Sequence, residues 1–161
     1  ISLTSIDNTK IDLNGYRGKY LLFVNVASYC DFTSQYKDLQ ILYDKFKNLE
    51  IIALPCNQFL FQEPFGAKKI KQFCKKNYGI TFRISEKIYV KGKNQHEIYK
   101  WLTKRRLNGV MDSSVSWNFN KYLIGLNGEL IDHFSSNTPP LSTKITKHLS
   151  INQYSPPSSS I

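Results

Sequence analysis

Two short stretches constrain this chain more than anything else in it: "YLLFVNVA" at Tyr20–Ala27 and "EIIALP" at Glu50–Pro55. Each is apolar for the length of a strand and reads as buried. Between them Tyr36, Leu39, Leu42, Tyr43 and Phe46 recur at helical spacing with polar residues in the gaps. Strand, amphipathic helix, strand predicts parallel strands joined by a crossover, which is right-handed in nearly all proteins.

The rest of the chain extends that unit. Before it, "LTSIDNTKIDL" reads as a short hairpin, followed by a turn around Gly15 and Gly18. After it, "EPFGAKKIKQFCKKNYG" predicts a helix with Ile70, Phe73, Cys74 and Tyr78 on one face and Gly79 as its C-terminal cap. "EKIYV" reads as a strand. "NQHEIYKWLTKRR" reads as a helix with Asn94 as N-cap, Glu97 at the third position, and Ile98, Trp101 and Leu102 as its apolar face. In "KYLIGLNGELIDHF" the Asn127-Gly128 pair predicts a hairpin. Pro139 and Pro140 precede a last helix, "LSTKITKHL", and the tail "YSPPSSSI" has the composition of a disordered segment. The expectation is one α/β domain over residues 1–152, a mixed central sheet flanked by helices, with a disordered tail at 153–161. A thioredoxin-like fold fits this order best.

Length and composition bound the function. At 161 residues and 41% hydrophobic, the chain suits one domain with a full core, and no apolar run is long enough to span a bilayer. The net charge of +10 is scattered and comes with no nucleic-acid motif, which sets DNA and RNA aside. It fits a solvated lysine surface, or attraction to an acidic partner or anionic membrane. Three cysteines, an odd and sparse set, argue against a secreted disulfide framework and favour a reducing intracellular compartment. No Cys-x-x-Cys or zinc spacing occurs, and His96, His133 and His148 stand far apart, as surface or cap residues. The chain opens at Ile1 rather than Met, as a processed form would, with any leader out of view.

Cys30, in "NVASYCDFT", stands where the first strand gives way to the helix. A helix N-terminus favours thiolate, the reactive form, but contributes only about 0.3–1 kcal/mol. Moving a thiol from about 8.5 to about 6 takes roughly 3.4 kcal/mol, so hydrogen-bond donors from elsewhere must help. Each bond to a charged group supplies about 1.5–3 kcal/mol. Gln58 and Gln62, after the second strand, and Trp117 with Asn118, before the late hairpin, carry uncharged donors that do not titrate near neutral pH.

Three motifs, "NVASYCDFT", "LPCNQFLFQEP" and "WNFNKYLI", occur in the order of the glutathione peroxidases. The chain resembles that family, in its cysteine-containing form, from about Leu13 to Leu149. The resemblance implies a thioredoxin-like fold and reduction of hydroperoxides with no metal, flavin or nicotinamide cofactor. By position, Cys30 matches the peroxidatic residue, and Gln62, Trp117 and Asn118 the other three members of the catalytic tetrad.

The resemblance also implies how oxidised Cys30 is restored. Cys74 stands where thioredoxin-dependent members carry a resolving cysteine, which closes a disulfide with the oxidised Cys30. A small apolar residue on a helix face is the plainer reading of Cys74. Disulfide geometry needs the Cα atoms within about 7 Å, so the segment from about Gly66 to Tyr78 is expected to unwind partly. Cys56 matches a family cysteine that turnover does not require. The short Arg106–Trp117 segment lacks the insert of tetrameric relatives, which implies a monomer with an open site, suited to hydrogen peroxide and bulky lipid hydroperoxides. Two residues depart from the pattern: Asp31 and Leu60 both replace common glycines. The alternatives are a peroxidase reduced by glutathione rather than thioredoxin, a redox sensor that oxidises a client, and a silent thioredoxin-like binding module.

Overall fold

A computed structural model of the chain describes residues 1–151. The expected tail at 153–161 and the last residue of the expected domain lie outside the described residues. A small antiparallel pair opens the chain, β1 (Leu3–Thr4) with β2 (Lys10–Ile11), and a 3-10 turn at Leu13–Tyr16 follows. Then come β3 (Tyr20–Val26), α1 (Gln35–Lys45), β4 (Leu49–Pro55), α2 (Ala67–Tyr78) and β5 (Arg83–Ile84). The chain continues through α3 (Glu97–Thr103), α4 (Arg105–Asn108), β6 (Lys121–Ile124), β7 (Leu130–Phe134) and α5 (Thr143–Ile151).

The main sheet runs β5-β4-β3-β6-β7. β3 pairs parallel with β4 and antiparallel with β6, so the sheet is mixed, with β3 at its centre. Every residue of β3 is buried because helices cover both faces. Leu22, Val24 and Val26 join Leu39 and Leu42 of α1, Ile70 and Cys74 of α2, and Ile145 of α5 on one side. Leu21 and Phe23 join Ile98, Tyr99 and Leu102 of α3 on the other.

Several local expectations hold. Gly79 caps α2 with φ 58°, a left-handed conformation that glycine adopts without a Cβ penalty. The Asn127-Gly128 turn joins β6 to β7. Three expectations do not hold. "EKIYV" is not a strand: the ladder beside β4 is formed by Arg83–Ile84 instead. Ile88 and Val90 are buried and Tyr89 is exposed, so the alternation is real. The Val90 N–H, however, donates to the Gln58 side chain at 2.6 Å rather than to a neighbouring strand. Asn94 does not cap α3. The helix starts later, and the His96 ring accepts from Ile98 N–H at 3.0 Å. Finally, the predicted helix through Arg106 is broken at Lys104, whose extended backbone (φ −117°, ψ 115°) separates α3 from α4.

Candidate active site

The topology delivers three segments to one end of the main sheet. Residues 27–34 leave the carboxyl end of β3, residues 56–66 leave the matching end of β4, and residues 116–120 enter β6, whose Lys121 lies opposite Val24. Asn25, buried in β3, brackets the third segment. Its side chain donates to Trp117 O at 2.9 Å and accepts from Asn120 N–H at 3.1 Å, while its carbonyl accepts from Phe119 N–H at 2.6 Å. Asn120 adds a bond to Trp117 O at 3.0 Å. Phe119 itself holds a left-handed φ of 61°.

Cys30 is half-buried at the start of a run of tight turns, ahead of α1. The Thr33 hydroxyl organises this turn. It accepts from Cys30 N–H at 2.9 Å and donates to Ala27 O at 2.8 Å. Phe32 N–H donates to Cys30 Sγ at 3.4 Å. Asp31 is exposed and does not cap the helix.

Gln62 reaches both neighbouring segments. Its carbonyl accepts from Tyr29 N–H at 2.9 Å, and its side-chain oxygen accepts from Asn118 Nδ2 at 3.0 Å. That second bond orients the Gln62 amide and leaves its NH2 group without a partner among the described residues. Asn118 is buried, and its Oδ1 has no partner among them either. The Trp117 ring packs on Phe59 with centroids 5.4 Å apart. The structure thus joins Gln62 to Asn118 directly, to Cys30 through Tyr29, and to Trp117 through the backbone. Among the described residues, none of the three donates to Sγ.

Cys74 sits apart, on the buried face of α2. Burial pushes its thiol up to about 11, the nearby Tyr36 hydroxyl pulling the other way. Cys30 and Cys74 both pack into the cluster under α1 and α2, whereas Cys56 is buried on the opposite face of the sheet. Burial raises the Cys56 thiol too, against bonds from the backbone of Gln58 and Val90.

The rim of the site is apolar and strained. Leu60 and Phe61 both hold φ 53° and are 75% and 78% exposed, although neither is glycine. Tyr29, 58% exposed, packs on Phe65, and Lys69 and Lys91 lie over the rings of Phe65 and Phe59. Leu60, which replaces a common glycine, thus holds a left-handed conformation that glycine adopts freely, with its strain.

Two charged residues inside the quoted motifs are not among the expected site residues. Lys121 is fully buried, its amine donating to Thr138 O at 2.7 Å, and burial lowers it from 10.5 to about 7. It anchors the loop whose Ser136 hydroxyl donates to Asn118 O. Glu63 is fully buried beside Gln62, and its N–H donates to Asn57 at 3.0 Å. His133 stacks on Tyr122 at 4.4 Å and bonds Asn120 at 2.7 Å, a packed role rather than the surface one expected.

The family model described as glutathione peroxidase matches residues 1–103. The chain belongs to the glutathione peroxidase family. It is 41% identical over 142 residues to the glutathione peroxidase homolog BsaA of Bacillus subtilis, covering 87% of this chain and 89% of that one. It is 39% identical over 148 residues to the hydroperoxy fatty acid reductase gpx1 of Synechocystis, covering 86% of each. The apo crystal structure of Trgpx superposes with a TM-score of 0.73 at 33% identity, over 94% of this chain and 91% of that one. As a glutathione peroxidase the protein is an enzyme, a thiol peroxidase on a thioredoxin-like fold.

Proposed function

We propose that Cys30 is the peroxidatic residue and that Gln62, Trp117 and Asn118 complete its site. The observation that carries this is the Gln62–Asn118 pair, held 3.0 Å apart at the sheet end where half-buried Cys30 emerges. The Cys30 thiolate attacks the terminal oxygen of a hydroperoxide and the O–O bond breaks. The alkoxide or hydroxide leaves with a proton as alcohol or water, and Cys30 becomes a sulfenic acid. The NH2 group of Gln62 and the indole N–H of Trp117 have no partner among the described residues, so both are free to donate to sulfur or to the departing oxygen. The residues require no metal or cofactor for these steps.

Cys74 then resolves the sulfenic acid. In α2 only Ile70 and Cys74 are fully buried, and five lysines fill much of its outer face. No side chain caps its start. A helix of this length is marginal alone in water, at the lower edge of the ~12–15 residues at which isolated helices begin to hold. Its opening lets Cys74 approach Cys30, and thioredoxin reduces the resulting disulfide, with glutathione a poorer reductant. The exposed Leu60, Phe61 and Tyr29 beside lysines suit lipid hydroperoxides at an anionic membrane surface. The fatty-acid activity named for the Synechocystis relative agrees with that choice. The enzyme works as a monomer.

Mass spectrometry after one equivalent of hydroperoxide tests this reading. The expected product is one intramolecular Cys30–Cys74 bond, with Cys56 still alkylatable. Turnover with reduced thioredoxin should exceed turnover with glutathione; equal rates would reverse the reductant assignment.

A further inference from the structure

The loop after β7 is held by a buried cation and in turn grips two segments of the proposed reaction centre. Lys121, the first residue of β6, pairs with Phe134, the last of β7. Residues 135–138 then turn tightly, Thr138 N–H donating to Ser135 O at 3.1 Å. The Lys121 amine donates to Thr138 O at 2.7 Å and reaches the carbonyls of Ser135 and Ser136, each at 3.5 Å. Lys121 is 0% exposed, and among the described residues no carboxylate lies within ion-pair distance of it. A buried amine without a counter-charge is costly, and a methionine would fill similar space without that cost. The three carbonyls it gathers give a reason to keep it. Ser136, buried between exposed Ser135 and Asn137, donates its hydroxyl to Asn118 O and accepts from Asn120 Nδ2 at 3.2 Å. One hydroxyl thus spans Phe119, whose φ of 61° is strained for a residue with a side chain and persists only where its surroundings impose it. On the other side, Ser136 O accepts from Gln35 Nε2 at 2.7 Å. Gln35 opens α1, close after Thr33, whose hydroxyl fixes the Cys30 turn. The loop therefore joins the segment that carries Asn118 to the helix that follows Cys30.

We propose that Lys121 and Ser136 are positioning residues for peroxide reduction: the lysine gathers the 135–138 loop, and the Ser136 hydroxyl sets where Asn118 stands relative to Cys30. The proposal rests on the assignment of Asn118 to the Cys30 site. Neither residue touches the peroxide. Both act through Asn118, whose Nδ2 orients the Gln62 amide at 3.0 Å. Asn118 Oδ1 is buried without a partner among the described residues, so the place of this side chain is set by its backbone and by Gln62.

A double-mutant cycle on the second-order rate of Cys30 oxidation by hydrogen peroxide, followed by stopped flow, tests this. The variants are Ser136→Ala, Lys121→Met and Asn118→Ala, with the first two each made alone and together with the third, and the urea midpoint is measured alongside. Ser136→Ala should slow oxidation about fivefold, the worth of one neutral hydrogen bond, and Lys121→Met at least as much. Asn118→Ala should slow it about tenfold, the worth of one bond to a charged group. Adding Ser136→Ala or Lys121→Met to Asn118→Ala should then slow oxidation no further, even where the midpoint falls again. A purely structural role would lower the rate by the same factor in both backgrounds, and that result overturns the proposal. So does a wild-type rate in Ser136→Ala, the variant that decides the matter if Lys121→Met fails to fold. A wild-type rate in Asn118→Ala is a distinct failure: it removes Asn118 from the site, and the positioning role with it.

Discussion

Cys30 and Cys74 touch the same apolar cluster under opposite conditions. Cys30 sits on a loop at the sheet end, half-open to solvent, in a turn fixed by Thr33. Cys74 sits on a regular helix, closed off from water, with its thiol pushed up to about 11. Under the proposed roles, the difference sets an order of events: the sulfur assigned to peroxide is half-exposed, and the sulfur assigned to resolution is buried and held protonated by burial.

The most severe break in this contrast is Cys30→Ser, which should abolish peroxidase activity in a coupled assay while leaving the circular dichroism spectrum intact. Cys74→Ser should still consume about one equivalent of peroxide but stop recycling by thioredoxin. Normal cycling in that variant would make the two cysteines independent. Gln62→Ala and Trp117→Phe should slow Cys30 oxidation by about tenfold, the worth of one bond to a charged group at about 1.5 kcal/mol. Stopped-flow oxidation with the thermal midpoint measured in parallel checks this.

Alkaline stability sharpens the Cys74 side. Folded, this thiol keeps its proton up to about 11, whereas its ordinary value is 9.0. Its contribution is present below about pH 9 and is lost as pH rises through about 11, because the unfolded chain releases the proton first. The slope reaches at most about 1.4 kcal/mol per pH unit. Urea unfolding of wild type and Cys74→Ser across that range should show a steeper loss in wild type, the difference being the Cys74 share, since Cys56 is raised by burial in both. The smallest effect is expected at Leu60→Gly, which relieves a left-handed leucine and should stabilise the fold by about 1 kcal/mol.

The features legible in sequence were those written in local patterns. "YLLFVNVA", the period of α1, the Gly79 cap and the Asn127-Gly128 turn each imprint a run of neighbouring residues. The motifs around Cys30, Gln62 and Asn118 were legible by resemblance. What stayed hidden depends on distant partners. Val90 looked like a strand residue because its burial alternates, yet its N–H is claimed by Gln58, 32 residues away. The burial of Lys121 and Glu63 is not written in the sequence, since nothing in their neighbours announces that loops and helices close over them. Asn94 lost the cap of α3 to His96 because both offer an acceptor within two residues, and the sequence does not rank them.

The amide of Asn25 belongs to the central strand, yet it holds Trp117 and Asn120 in place. Under the proposed assignment, the spacing between the Cys30 loop and the Trp117–Asn118 segment is thus set by the innermost part of the scaffold and not negotiated between loops. The exposed rim, Asp31 and Leu60 included, is no part of that bracket.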